Sequence, residues 1–138
     1  MKWSEEARWQ AFDSSLKIDT GDTDIRELIA QSRLVVHSYD STGILETLSQ
    51  NIPTLAFWQN GFDHLCDSAK PHYQLLVDAG IVHLTPESVA QKVNEVWSDV
   101  DSWWNNETTQ CARRHFCNNY AQISDTPLLE MKNTLTRI

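Results

Sequence analysis

Residues 34–58 read LVVHSYDSTGILETLSQNIPTLAFW, and this stretch constrains the fold more than any other. Leu34-Val35-Val36 and Thr54-Leu55-Ala56-Phe57-Trp58 are short apolar runs, rich enough in β-branched and aromatic residues to be buried strands. Between them, Ser38 to Gly43 is small, polar or turn-forming except for Tyr39. Ile44, Leu45 and Leu48 then fall on one face of a helix. Pro53 favours an extended neighbour and lets the second strand begin. Strand, polar loop, short helix, strand is a βαβ crossover of about the minimum size.

That order has a chemical consequence. A polar loop feeding a helix presents free backbone N–H groups and the positive end of the helix dipole, which suits a phosphate. Ser41 and Thr42 add hydroxyls at that tip. Glu46 lies one turn further on, the same face as Thr42, and helical side chains lean back toward the N-terminus. A carboxylate repels phosphate but accepts hydrogen bonds from two neighbouring sugar hydroxyls. Phosphate at the tip and ribose on Glu46 describe a nucleotide diphosphate site. The other reading of the same residues is a hydroxyl cap followed by a solvated surface acid. Neither GxGxxG nor GxxxxGK[ST] is present to decide between them.

The pattern Ser41-Thr42-x-x-x-Glu46-x-Leu48-x-x-Asn51-Ile52-Pro53-Thr54 resembles the donor-binding segment of GT-B glycosyltransferases. More narrowly, the chain is similar to the C-terminal part of a bacterial family of surface-carbohydrate transferases. The similarity continues through Phe57-Trp58, Asp67 to Pro71, Ala79-Gly80-Ile81, Thr85 to Ser88 and Trp103-Trp104, over roughly residues 5 to 130. The resemblance implies the nucleotide-sugar-binding half of a transferase with two Rossmann-like domains facing a cleft. It puts the pyrophosphate on Ser41 and Thr42, the ribose on Glu46, and Gln59 and Asn60 near the sugar or phosphate. The partner it implies is a nucleotide diphosphate sugar, with neither metal nor other cofactor. This chain has no room for the acceptor domain, so that part is expected from a missing N-terminal domain or a partner subunit. The acceptor and any base are expected to lie largely there, leaving the chain inactive alone.

Length and charge bound the alternatives. The 138 residues suffice for one domain with a core. A formal charge of −8 argues against a nucleic-acid partner. No apolar run is long enough for a transmembrane helix, and MKWSEEARWQ lacks the apolar core of a signal peptide, so the expected location is cytoplasmic. The three cysteines, Cys66, Cys111 and Cys117, suggest no disulfide framework. His64-x-Cys66 with His72 matches no familiar zinc spacing.

Residues 1–14 read as a lead-in carrying Trp3, Trp9 and Phe12. Residues 15–104 are expected to form the nucleotide-binding domain, and 105–138 a helical extension packed on it. Leu16-Lys17-Ile18 alternates like a strand, and Asp24-x-x-Glu27 opens a helix as a capping box does. With Leu34 to His37 these form a first βαβ unit. His37 ends its strand, where ligands of open α/β sheets bind, and is a candidate cleft residue; a structural histidine is the alternative. Tyr39 shares that edge. Ser68 is expected to cap a helix with Pro71 in its first turn, and Gly80 to stop it. Thr85-Pro86 opens another helix, with Val89, Val93, Val96 and Trp97 on its buried face. Ala112, Phe116 and Tyr120 line one side of a helix on which Arg113 and Arg114 form a solvated face. Pro127 opens the last helix, with Leu128, Leu129 and Leu135.

The fold expected is therefore a three-layer α/β Rossmann-like domain with a mostly parallel sheet of four or five strands and extra C-terminal helices. A stand-alone module binding a nucleotide or sugar phosphate without catalysis is the second functional reading. A third is an association domain, a possible homo-oligomer using Trp3, Trp9 and the C-terminal leucines.

Overall fold

The computed structural model describes residues 5–136. They fall into two compact units, Met1–Ser32 and Arg33–Ile138.

The first unit holds α1 (Glu5–Phe12) and α2 (Ile25–Gln31), neither of which buries a residue. Asp24 caps α2 by accepting from the Arg26 N–H at 2.8 Å. The strand expected at Leu16-Lys17-Ile18 does not form. Local side-chain bonds flank it: Asp13 accepts from Ser15 N–H, and Asp19 from Gly21 N–H. Such turns compete with a ladder, and three apolar-alternating residues bury too little to win. Trp9 and Phe12 are exposed, while Trp3 lies outside the described residues.

The second unit contains β1 (Val35–His37), α3 (Thr42–Ser49), β2 (Thr54–Phe57), α4 (Lys70–Asp78) and β3 (Val82–His83). Four helices follow: α5 (Pro86–Val96), α6 (Val100–Trp104), α7 (Glu107–Tyr120) and α8 (Pro127–Leu135). The strands form one parallel sheet in the order β1-β2-β3. Three strands among the described residues replace the four or five expected. The missing first strand accounts for part of the difference, and it removes the first βαβ unit.

Thr54, Leu55 and Ala56 are all buried, so β2 is covered on both faces, as a parallel strand requires. α3 packs on β1 and β2, α4 on β3, α5 on β2 and β3, and α7 over α3 and α4. Ile44 and Leu48 of α3 are fully buried, and Leu45 packs beside them. The turns after α3 and α4 use the left-handed region, at Asn51 (φ 58°) and Gly80 (φ 68°). Thr85 caps α5 by accepting from Ser88 N–H at 3.1 Å.

Three local expectations change. α4 begins at Lys70 with Ala69 at its cap; Ser68 instead pairs its hydroxyl with the Cys66 thiol, although Pro71 does sit in the first turn. Trp97 is 53% exposed, because it stands at the end of α5. There the Arg33 guanidinium covers its ring at 5.4 Å and donates to its carbonyl. Arg113 is not solvated. It donates to the Leu48 carbonyl at 2.9 Å, satisfying a backbone acceptor at the negative end of α3. Arg114 does remain exposed, paired with Glu107.

α8 buries nothing, and Leu128 is 81% exposed, with Leu129 and Leu135 also uncovered. No helix of the described residues is long and apolar enough to cross a membrane.

Candidate functional site

The C-terminal ends of three parallel strands point the same way, so the loops after β1 and β2 share one edge of the sheet. On that edge α3 begins. Ser41 is its N-cap, with extended backbone, yet its hydroxyl makes no capping bond. The Ser41 hydroxyl is therefore not used as a cap, while the Ile44 N–H is already taken by the Ser41 carbonyl at 3.1 Å. Thr42 and Glu46 are exposed. Among the described residues the Glu46 carboxylate takes no hydrogen bond and no ion pair. Tyr39, just ahead of the tip, is also exposed.

His37 is half-buried against the first turn of α3. A Cβ on Gly43 would stand 3.0 Å from His37 Cε1 and 3.4 Å from Ser41 Oγ, so a larger residue there would push the ring back by a few tenths of an ångström. Thr47 Oγ1 holds the ring in place: it lies 3.2 Å from His37 Nε2 and 3.1 and 3.2 Å from the Gly43 and Ile44 carbonyls. Burial pushes this imidazole below the usual histidine range.

A second constellation was not singled out as a site in the sequence. Asp40, immediately before the cap, receives His64 Nε2–H at 2.9 Å and the Tyr73 hydroxyl at 3.3 Å. Burial first, and Asp40 next, push the Tyr73 hydroxyl pKa up. Trp58 places its ring edge-on to His64, with centroids 5.8 Å apart, and is itself tied to the Gly61 carbonyl. The β1–α3 loop, the β2–α4 loop and α4 are thus fastened together beside the helix tip. Nothing in the sequence signals the pairing, because Asp40 and His64 are 24 residues apart.

Gln59 and Asn60 are exposed at the start of the β2–α4 loop. Asn60 adopts φ 73°, one of the left-handed conformations that let this loop turn sharply. The described hydrogen bonds bring His37 and Thr47 together beside Gly43, with Ser41 Oγ near the same glycine, and join Asp40, His64 and Tyr73. They do not join Tyr39, Gln59 or Asn60 side chains to either group.

His64, Cys66 and His72 diverge: His64 goes to Asp40, Cys66 to Ser68, and His72 to His115. Among the described residues no group of three His, Cys, Asp or Glu side chains could hold a metal. All three cysteines are free.

At the end of β3, His83 is buried with both ring nitrogens engaged, to Ser88 Oγ at 2.6 Å and the Gly80 carbonyl at 3.1 Å. Burial again lowers its pKa, with Lys92 adding to the effect and the Gly80 carbonyl opposing it. Both histidines therefore bind protons less readily folded than unfolded. Their contribution to stability is full above an unfolded histidine pKa of about 6.5 and is lost as the pH falls below it. Acidification also relieves repulsion in a chain of charge −8, so the comparison must be differential. Between pH 7.5 and 5.5 the parent melting temperature should fall relative to that of a His37→Gln/His83→Gln variant. A parallel pH response of the two proteins would refute this assignment.

Among concavities, a groove of about 540 Å³ runs between α4 and α7, lined by Leu75, Ala79, Cys111, Ala112 and His115. It is remote in sequence from the α3 tip and includes none of its residues. At the tip, Tyr39, Thr42 and Glu46 are exposed and Ser41 is partly so.

No curated protein and no solved structure matches the chain. A family model described as "LIC12162 family transferase" matches residues 1–135, nearly the whole chain. The chain belongs to the LIC12162 family of transferases.

Proposed function

We propose that this transferase chain is the nucleotide-sugar-binding part of a GT-B-type glycosyltransferase of surface-carbohydrate synthesis. The observation that carries the reading is the tip of α3, without a side-chain cap at the C-terminal edge of a parallel sheet, with an exposed acid one turn behind it that is unpaired among the described residues. The diphosphate sits against the tip N–H groups and the hydroxyls of Ser41 and Thr42. Those donors meet the negative charge that builds on the leaving diphosphate. Glu46 accepts from the ribose hydroxyls. His37 forms the floor, and Tyr39, Gln59 and Asn60 line the approach. The opposite wall of the cleft is supplied by a second domain or a partner subunit. The exposed residues at the tip and the coarser likeness to a transferase family support this reading.

Thermal shift with a panel of nucleoside diphosphates and nucleotide sugars tests it. A ligand held at about 100 times its Kd adds about 2.7 kcal/mol, a rise of several degrees. One nucleotide should raise the melting temperature, and Glu46→Ala should remove most of the rise while leaving the unliganded melting temperature unchanged, since Glu46 is exposed. If no nucleotide shifts the parent, the reading fails. Binding with no transfer in the presence of its partner domain would leave a regulatory module.

A further inference from the structure

We infer that His64 is the proton acceptor of the transfer, with Asp40 as its positioning residue. This rests on the nucleotide-sugar reading above and names a group within this chain for a role that the resemblance assigns largely to another domain.

The argument starts from tautomers. A carboxylate only accepts, so the 2.9 Å contact to Asp40 Oδ2 fixes the His64 proton on Nε2. Nδ1 is then a bare lone pair, and it has no hydrogen-bond partner among the described residues. The side chain is 43% exposed, so the ring is not closed off from a ligand. Trp58 holds the ring edge-on, and Tyr73 holds the other Asp40 oxygen, so neither member of the pair is free to turn. Base, orienting carboxylate and a second bond on that carboxylate are the parts by which an imidazole is held ready to take a proton. The pair also stands beside the helix tip, since Asp40 directly precedes the N-cap Ser41. Asp40 would otherwise compete with phosphate for the tip; His64 and Tyr73 each occupy one of its oxygens. His37, the other histidine at this edge, is half-buried against Gly43.

The step balances. The acceptor hydroxyl oxygen bonds to the anomeric carbon as that carbon's bond to the diphosphate oxygen breaks. The hydroxyl proton passes to His64 Nδ1, and the bonding pair leaves on the diphosphate at the α3 tip. With water as acceptor, the products are free sugar and nucleoside diphosphate.

The test uses the full chain and the nucleotide sugar that gives the largest thermal shift, with water as acceptor. Released nucleoside diphosphate is measured by chromatography under single-turnover conditions, and Kd by calorimetry. Water needs no acceptor domain, so the parent, although it transfers no sugar to an acceptor by itself, should release diphosphate slowly. His64→Gln should lower that rate by about 10²–10⁴-fold with Kd changed less than about twofold, the loss expected when a general base is removed. Asp40→Asn should lower it roughly tenfold or more, again with Kd kept, because the ring loses its fixed tautomer. A purely structural role would move Kd and melting temperature together with the rate. Release by His64→Gln at the parental rate overturns the inference. So does a parent that binds nucleotide sugar and releases nothing, which would leave the binding reading intact. A parent that binds none of the panel removes both.

Discussion

Replacing Phe116 by alanine should cost about 3–5 kcal/mol, enough to unfold a domain of ordinary stability near 37 °C. Phe116 is 0% exposed and is the largest of the fully buried side chains. Its ring meets Tyr73 edge-on at 5.0 Å and Tyr120 at 5.2 Å, so it fills the contact between α7 and α4. Alanine leaves a void that neighbouring aromatic rings are too stiff to close. Phe116→Leu keeps most of the volume and should cost only about 1–2 kcal/mol. Urea unfolding of the three proteins checks this; an alanine cost below about 1 kcal/mol would show that the contact collapses freely. The effect should reach the site as well. Tyr73 stands between Phe116 and Asp40, so a loosened Phe116 pocket frees the carboxylate that orients His64.

Trp104→Ala should be about as damaging, again about 3–5 kcal/mol, for a reason that is partly polar. Trp104 is 2% exposed. Its indole N–H is shared between the carbonyl and the side-chain oxygen of Asn51, at 3.1 and 3.0 Å. Gln110 donates to the same Asn51 oxygen and to the Trp104 carbonyl, closing a network among α3's exit, α6 and α7. Trp104→Phe keeps the ring and removes the donor, so the polar share should appear as about 1–2 kcal/mol. Asn51 sits at φ 58°, where glycine is at ease. Asn51→Gly therefore removes the side-chain acceptor without adding backbone strain. A Trp104→Phe/Asn51→Gly cycle should return a coupling of about 0.5–1.5 kcal/mol; strict additivity would mean that the network contributes packing alone.

The neighbouring tryptophan shows why such roles are invisible in a string of letters. Trp103 and Trp104 look alike in sequence. In the structure Trp104 finds its partner in Asn51. Trp103 buries its indole nitrogen without a partner among the described residues and lies under the Lys92 ammonium at 5.6 Å.

What was legible came from short-range signals. The apolar spacing of Ile44, Leu45 and Leu48 marks the buried side of α3, because a helix repeats every 3.6 residues. Thr54 to Ala56 announces a strand covered on both faces. Thr85-Pro86 and Gly80 mark a helix start and a helix stop by backbone chemistry that needs no distant partner. The exposed positions of Thr42 and Glu46 follow from the same periodicity. Leu16-Lys17-Ile18 misleads because alternation states which side chains share a face but not whether another strand is there to pair. Trp97 misleads because the apolar stripe of α5 continues one residue beyond its burial, and Arg33 covers the ring from 64 residues away. Arg113 reads as a surface cation until Leu48, 65 residues earlier, presents its carbonyl.

The amino-acid order by itself thus determined the crossover, the helix tip and the acid behind it, since each depends on contacts within a turn or two. The tertiary structure alone decided that Asp40 holds His64 and Tyr73, and that Thr47 and Gly43 seat the His37 ring against α3. Those bonds join loops and helices only after the sheet has formed, and a hydrogen bond depends on a few tenths of an ångström that no spacing along the chain encodes.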